Sequence, residues 1–164
     1  MDKKILVAYA SRAGSTAEVA EEVGKVLAAE GLPVDVLPIQ SVTSFEPYSA
    51  LVLGSAARIG KLIPETIRFA RKYAKSFQMI KVAYFVVCLT MFKDTVENRA
   101  TVEGYLKPLY KIKEPVDHEM FGGAMFPEKI PGIWSKIMRN AERGDYRDWE
   151  AIRSWAKQLA AKLQ

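Results

Sequence analysis

The sequence predicts one α/β domain of three layers, with helices on both faces of a five-stranded parallel sheet. Three observations carry this. Five short apolar runs alternate with stretches of helical spacing along the chain, and strands that alternate with helices pair in parallel through crossover helices. The central runs are continuously apolar rather than alternating, as strands covered on both faces are. The 164 residues, 49% hydrophobic and 26% charged, suffice for one good core and show no shift in composition, so the domain spans residues 1–164.

Each element has its own signal. The first strand is the run ILVA at 5–8, followed by the hydroxyl-rich stretch YASRAGST at 9–16. Val19, Val23, Val26 and Leu27 then recur at helical spacing, and Gly31 stands where a terminal glycine stops them, which predicts a helix over 16–30. A short strand at 34–37 and the run ALVLG at 50–54 come next. Ile63, Ile67, Ala70, Ala74 and Phe77 mark one face of a helix whose other positions carry Arg68, Arg71, Lys72 and Lys75. The longest apolar stretch, VAYFVVCL at 82–89, is the best candidate for a central strand. A helix starts at Asp94 or Thr95, whose side chains accept a free backbone N–H, and is expected to end before Pro108. A shorter strand near 119–125 runs into Gly122 and Gly123. In the last helix Asp148 is the N-cap, Glu150 suits the first turn and Lys162 the last, while Ile152, Trp155, Ala156, Leu159, Ala160 and Leu163 keep core spacing.

Composition excludes several classes. Cys88 is the single cysteine and His118 the single histidine, so an internal disulfide and a structural zinc site are both ruled out, and no metal is expected. No apolar run approaches the roughly 20 residues of a membrane span, and the N-terminal run is too short for a signal sequence, so the expected location is the cytoplasm. The net charge of +5 suits an anionic partner without choosing among lipid head group, nucleic acid and anionic cofactor.

The stretch at 9–16 chooses. It leaves the first strand and enters a helix at once, and a helix N-terminus offers unpaired N–H groups and about half a positive charge. Ser11, Ser15 and Thr16 add short hydroxyls, Gly14 lets backbone come close, and Arg12 adds a positive charge. This is the chemistry of a phosphate site. The lysine of a Walker loop and the three glycines of a dinucleotide fingerprint are both missing. The competing reading is a hydroxyl-rich turn that only caps the helix.

The loop resembles the FMN-phosphate loop of flavodoxins, a hydroxyl-rich [ST]xTGxT turn after the first strand. The stretch GSAARIGK at 54–61 resembles the flavin-edge loop of the menaquinone-dependent protoporphyrinogen oxidase family, which is flavodoxin-like; CLTMFK at 88–93 falls at that family's second flavin loop, and FGGAMFP at 121–127 and DWE at 148–150 echo its last third. The resemblance implies a flavodoxin-like three-layer sandwich that binds FMN. It implies that Ser11, Arg12, Ala13, Gly14, Ser15 and Thr16 hold the phosphate, and that Ser55, Ala56, Ala57, Arg58, Ile59 and Gly60, with Leu89, Thr90 and Met91, enclose the ring. No catalytic proton-transfer group is expected, because the flavin supplies the redox chemistry.

Two functions from different classes follow: an electron carrier between a reductase or quinol partner and an acceptor, or a quinone-dependent protoporphyrinogen oxidase. A signalling receiver of similar fold needs acidic residues where Ser11 and Arg12 stand. Flavodoxins are generally acidic, whereas this chain is basic, with Arg58 and Lys61 in the ring loop, so the second reduction step is expected to be less negative than in an acidic flavodoxin. Arg68, Arg71, Lys72 and Lys75 suit an anionic redox partner rather than nucleic acid, against the alternative of a solvated helix face. A stripe of Ile133, Trp134, Ile137 and Met138 among cations could rest on the inner face of a membrane or pack on the domain. Cys88 is expected to be a buried small hydrophobe, His118 an exposed loop histidine, Trp149 and Trp155 packing for the last helix, and Tyr9, Met91 and Phe92 further ring contacts.

Overall fold

The computed structural model describes residues 3–125 and 144–164; the stripe at 133–138 lies outside them. In chain order the elements are β1 (Lys4–Ala10), α1 (Ser15–Ala29), β2 (Val34–Pro38), a 3₁₀ turn (Ile39–Ser41), β3 (Tyr48–Arg58) and β4 (Lys61–Leu62). Then follow α2 (Pro64–Lys72), α3 (Ala74–Phe77), β5 (Lys81–Cys88), a second 3₁₀ turn (Leu89–Phe92), α4 (Val96–Ile112), β6 (Asp117–Gly122), β7 (Ala124–Met125), β8 (Gly144–Asp145) and α5 (Trp149–Leu163). Five strands pair in parallel in the order β2-β1-β3-β5-β6, β4 folds back on β3, and β7 and β8 form a small antiparallel pair.

The apolar runs form strands because alternate residues feed two separate cores. Along β5, Val82, Tyr84, Val86 and Cys88 enter one core while Ala83, Phe85 and Val87 enter the other. The first core is closed by Phe69, Ala70 and Phe77 of α2 and α3 and by Val102, Leu106 and Leu109 of α4. The second is closed by Val19, Val23 and Leu27 of α1 and by Ile152, Trp155, Leu159 and Leu163 of α5. Trp155 packs edge-on against Phe85 and Phe121, with ring centres 6.0 and 5.8 Å away, pairs that add about 0.5–1.5 kcal/mol beyond burial. Trp149 is partly buried, with the Arg147 guanidinium 4.9 Å over its ring.

The run at 82–89 is, as expected, an inner strand: β5 lies between β3 and β6, with β3 in the middle of the sheet. Three sequence expectations are corrected.

The helix expected through Ile63 and Phe77 is two helices, hinged at Tyr73, where φ is −106° and ψ 21°. There the Tyr73 ring packs 5.0 Å from Phe45 and 5.1 Å from Phe69, and its hydroxyl donates to the Val42 carbonyl at 3.1 Å.

His118 is a half-buried residue of β6 rather than a loop residue. Its ring meets Tyr110 edge-on at 5.7 Å, and its Nε2 lies 3.4 Å from Glu103.

Helix α4 begins as expected, with the Thr95 hydroxyl accepting from the Asn98 N–H at 3.0 Å, but runs on through Pro108. An interior proline costs about 3 kcal/mol. Two features offset it. Leu106 and Leu109 are fully buried, and the Tyr84 hydroxyl donates to the Lys113 carbonyl at 2.8 Å, with the Leu109 carbonyl 3.3 Å away, anchoring the end of the helix to β5. Pro108 itself is exposed, where water can serve the freed Gly104 carbonyl.

Replacing Pro108→Ala should therefore stabilise the chain by about 1–2 kcal/mol, the regained backbone bond being partly cancelled by a looser unfolded state. An unchanged or lower thermal midpoint would show that the ring is favoured in place. Asp148 caps α5 by accepting from the Ala151 N–H at 3.0 Å. Asp148→Ala should cost about 1 kcal/mol, read as a lower urea midpoint at constant m-value; no shift would mean the cap contributes nothing.

Candidate functional site

The chain runs from β1 to β2 on one side and then crosses to β3 on the other, so the strand order reverses at β1 and leaves a crevice beyond the carboxyl ends of β1 and β3. From Ile5 opposite Ala50 the two strands keep one register to the end of β1, where Ala10 lies opposite Ser55. The loop at 11–14 and the end of β3, more than forty residues apart in sequence, thus emerge side by side.

In the first loop the Gly14 N–H donates to Ser11 Oγ at 3.0 Å, and Gly14 takes φ of 92°, which a side chain would strain. A Cβ placed on Gly14 would meet nothing within 4 Å, so the glycine serves the backbone turn while space beside it stays open. The N-cap of α1 is Gly14, which has no side chain, and Ser11 Oγ accepts from that residue's N–H. Thr16 is fully buried, and its Oγ1 has no hydrogen-bond partner, a state that costs about 1–3 kcal/mol if nothing fills it. The N–H groups of Ser15, Thr16 and Ala17, in the first turn, have no acceptor within the helix. Free N–H groups, an orphaned hydroxyl and open space at a helix N-terminus fit the phosphate of FMN.

Arg12 belongs to this loop but points elsewhere. Its Nε and Nη2 donate to Glu65 Oε2 and Oε1 at 3.1 and 2.8 Å. Burial pushes the Glu65 carboxyl up, but the Arg12 hydrogen bond, a backbone hydrogen bond and the charges of Arg12 and Arg68 together outweigh this and leave it below its ordinary value. Glu65 sits at the start of α2 next to Thr66, which is fully buried. Ser55 Oγ donates to the Ala56 carbonyl at 2.8 Å, so in the 2.7 Å contact between the two hydroxyls Thr66 is the donor. Glu65 and Thr66 were not among the residues singled out from sequence; an acid just after Pro64, opening a helix, was the available signal.

The stretch at 55–60, expected as a loop, is the end of β3 up to Arg58 and a two-residue turn; Ser55 and Ala56 are buried, so Ala57, Arg58, Ile59 and Gly60 form its surface. Arg58 pairs with Lys61 across a two-residue turn whose residues, Ile59 and Gly60, have φ of 52° and 76°. Positive φ at both positions marks the type I′ turn that suits a twisted hairpin, yet a β-branched residue is strained there. Ile59 is 93% exposed. Burial, and then the charge of Arg12, push the Arg58 guanidinium below its ordinary value. Among the described residues neither Arg58 nor Lys61 has a carboxylate partner.

The third loop follows β5. Leu89 and Thr90 reach the surface, whereas Met91 is buried. The Cys88 carbonyl accepts from the Gly123 N–H at 3.0 Å, and burial pushes the Cys88 thiol up, so this cysteine is the expected small hydrophobe. Phe92 meets Tyr146 edge-on at 6.2 Å over a cavity of about 220 Å³ bordered by Asp94, Arg99, Glu119 and Asp148. Tyr146 was unmarked in the sequence. The cations of α2 and α3 are exposed; Arg68 lies 3.6 Å from Glu65 and Lys72 lies 5.2 Å over the Tyr73 ring. Among the described residues there is no cluster that could hold a metal and no helix long and apolar enough to cross a membrane.

Solved structures share this architecture. Oxidised flavodoxin 1 from Bacillus cereus is 15% identical, with a TM-score of 0.64 over 99% of this chain and 100% of that one. A Streptococcus pneumonia TIGR4 flavodoxin is 18% identical, with a TM-score of 0.63 over 96% and 98%. A flavodoxin from the domain Archaea is 16% identical, with a TM-score of 0.61 over 98% of both chains. At these identities the likeness carries the fold alone. Among curated proteins no sequence matches. The sequence itself matches the flavodoxin domain over residues 6–143, most of its length. The chain therefore belongs to the flavodoxin domain family, whose members bind FMN and transfer electrons.

Proposed function

We propose that this chain binds FMN with its phosphate in the loop after β1 and its ring between the β3–β4 hairpin and the turn after β5, and carries electrons between a reductase or quinol partner and an acceptor. The observation that carries this is the buried, unpartnered Thr16 Oγ1 at the start of α1. Backbone N–H groups of Arg12, Ala13, Ser15 and Thr16 hold the phosphate, with Ser11 and Gly14 shaping the turn. Ala57, Arg58, Ile59 and Gly60 border the ring on one side and Leu89 and Thr90 on the other; Ser55, Ala56 and Met91 support these loops from beneath. When bound, FMN supplies one- and two-electron transfer, and the protein supplies orientation and field.

The field is set by Arg58 and Lys61, which face each other across the hairpin and favour added negative charge nearby. The exposed Arg71, Lys72 and Lys75 suit an anionic partner but lie toward the opposite end of the sheet, where α3 leads into β5. A second reading, the quinone-dependent protoporphyrinogen oxidase, rests on the same two cations, which would draw an anionic porphyrinogen to the hairpin. Anaerobic protoporphyrinogen added to the FMN-loaded chain separates the two: bleaching of the flavin absorbance that slows in Arg58→Ala supports the oxidase, and an unchanged spectrum supports the carrier.

The purified chain should take up one FMN. Thr16→Val should weaken FMN by about 1.5–3 kcal/mol, roughly ten- to a hundredfold, while riboflavin, which lacks the phosphate, binds as before. A colourless chain that takes up neither would remove the proposal. In potentiometric titration the second reduction step should lie less negative than in an acidic flavodoxin, and Arg58→Ala should lower it by roughly 20–60 mV. A second potential as low as an acidic flavodoxin's, unmoved by the substitution, would exclude this role for Arg58. Electron-transfer rates should also fall as salt rises if cations steer the partner.

A further inference from the structure

We infer that Glu65 is a positioning residue for the phosphate site: through its bidentate grip on Arg12 it holds the loop after β1 in the shape that its N–H groups need. This rests on the reading that FMN phosphate binds that loop. Among the described residues, side chains hold the loop in only two ways. One is internal, Ser11 Oγ to the Gly14 N–H. The other is the Arg12–Glu65 pair, whose two N–H···O bonds of 3.1 and 2.8 Å fix the guanidinium in plane as a single contact could not. The pair reaches across 53 residues of sequence, from the apex of the loop to α2.

The anchor is rigid. Glu65 is the second residue of α2, after a proline whose fixed φ suits a helix start. Its neighbour Thr66 is fully buried and bonded to Ser55, at the end of β3. Glu65 therefore projects from the point where α2 is tied to the sheet, and Arg12 ties the phosphate loop to that point. Both bonds leave Arg12 committed on its Nε and Nη2, away from the phosphate, so the anion is read by neutral donors whose value depends on orientation. Freeing Arg12 returns only a half-exposed charge, which is weak in water. Loss of orientation outweighs it.

The test is a flavin-fluorescence titration of the FMN-free chain with FMN and with riboflavin, in wild type, Glu65→Gln, Arg12→Gln and the double variant. Each single substitution should weaken FMN roughly three- to tenfold, and the double no further, because both remove one interaction. Riboflavin affinity and the thermal midpoint of the FMN-free chain should barely move. If Glu65→Gln binds FMN as well as wild type or better while Arg12→Gln weakens it, Arg12 contacts the phosphate directly and the assignment fails. Additive losses, or equal losses for riboflavin, overturn it too. If wild type takes up riboflavin but not FMN, or neither, the FMN reading itself fails and this assignment with it.

Discussion

The parallel pairing of β1 with β3, kept in register to Ala10 and Ser55, determines where distant parts of the sequence meet. Both strands are buried on both faces, so a one-residue slip would move each core side chain to the wrong layer. That strict register places two loop exits side by side at the reversal of strand order. Ser55 carries the constraint outward by bonding Thr66, and Glu65 carries it to Arg12. A hydrophobic pattern that fixes the sheet thereby fixes polar groups that never enter the core.

Charge is distributed unevenly around that junction. Arg12 is neutralised by Glu65, whereas Arg58 and Lys61 on the hairpin lack carboxylate partners among the described residues. Positive charge without a carboxylate partner is consequently concentrated on the hairpin rather than on the loop after β1. Net charge alone does not reveal such an arrangement, because +5 can be spread in many ways.

The five parallel strands, α1, α5 and both helix caps were legible in the sequence because each rests on local chemistry: apolar runs, a 3.6-residue period, and Thr95 and Asp148 accepting N–H groups three residues on. What failed was decided by tertiary contact. Pro108 reads as a stop, yet Tyr84 holds the Lys113 carbonyl beyond it; a single apolar stripe reads as one helix, yet the aromatic cluster around Phe45 breaks it at Tyr73. The site divided in the same way. The hydroxyl-rich loop was visible as a motif, but the pairing of the Arg12 side chain with Glu65 was not, because the two are remote in sequence. Ser55 and Met91 were read as ring contacts, though nothing local showed that both residues are buried.

The hairpin tip gives up folding free energy. Ile59 has the backbone angle that glycine or asparagine would accept with less strain, and its side chain gains almost nothing from burial, being 93% exposed. A library of this chain sorted for heat resistance alone would drift toward glycine at that codon, whereas one sorted for coupling to its natural redox partner would retain isoleucine if the side chain matters to that coupling. The divergence of the two populations at one position would separate thermodynamic preference from biological demand.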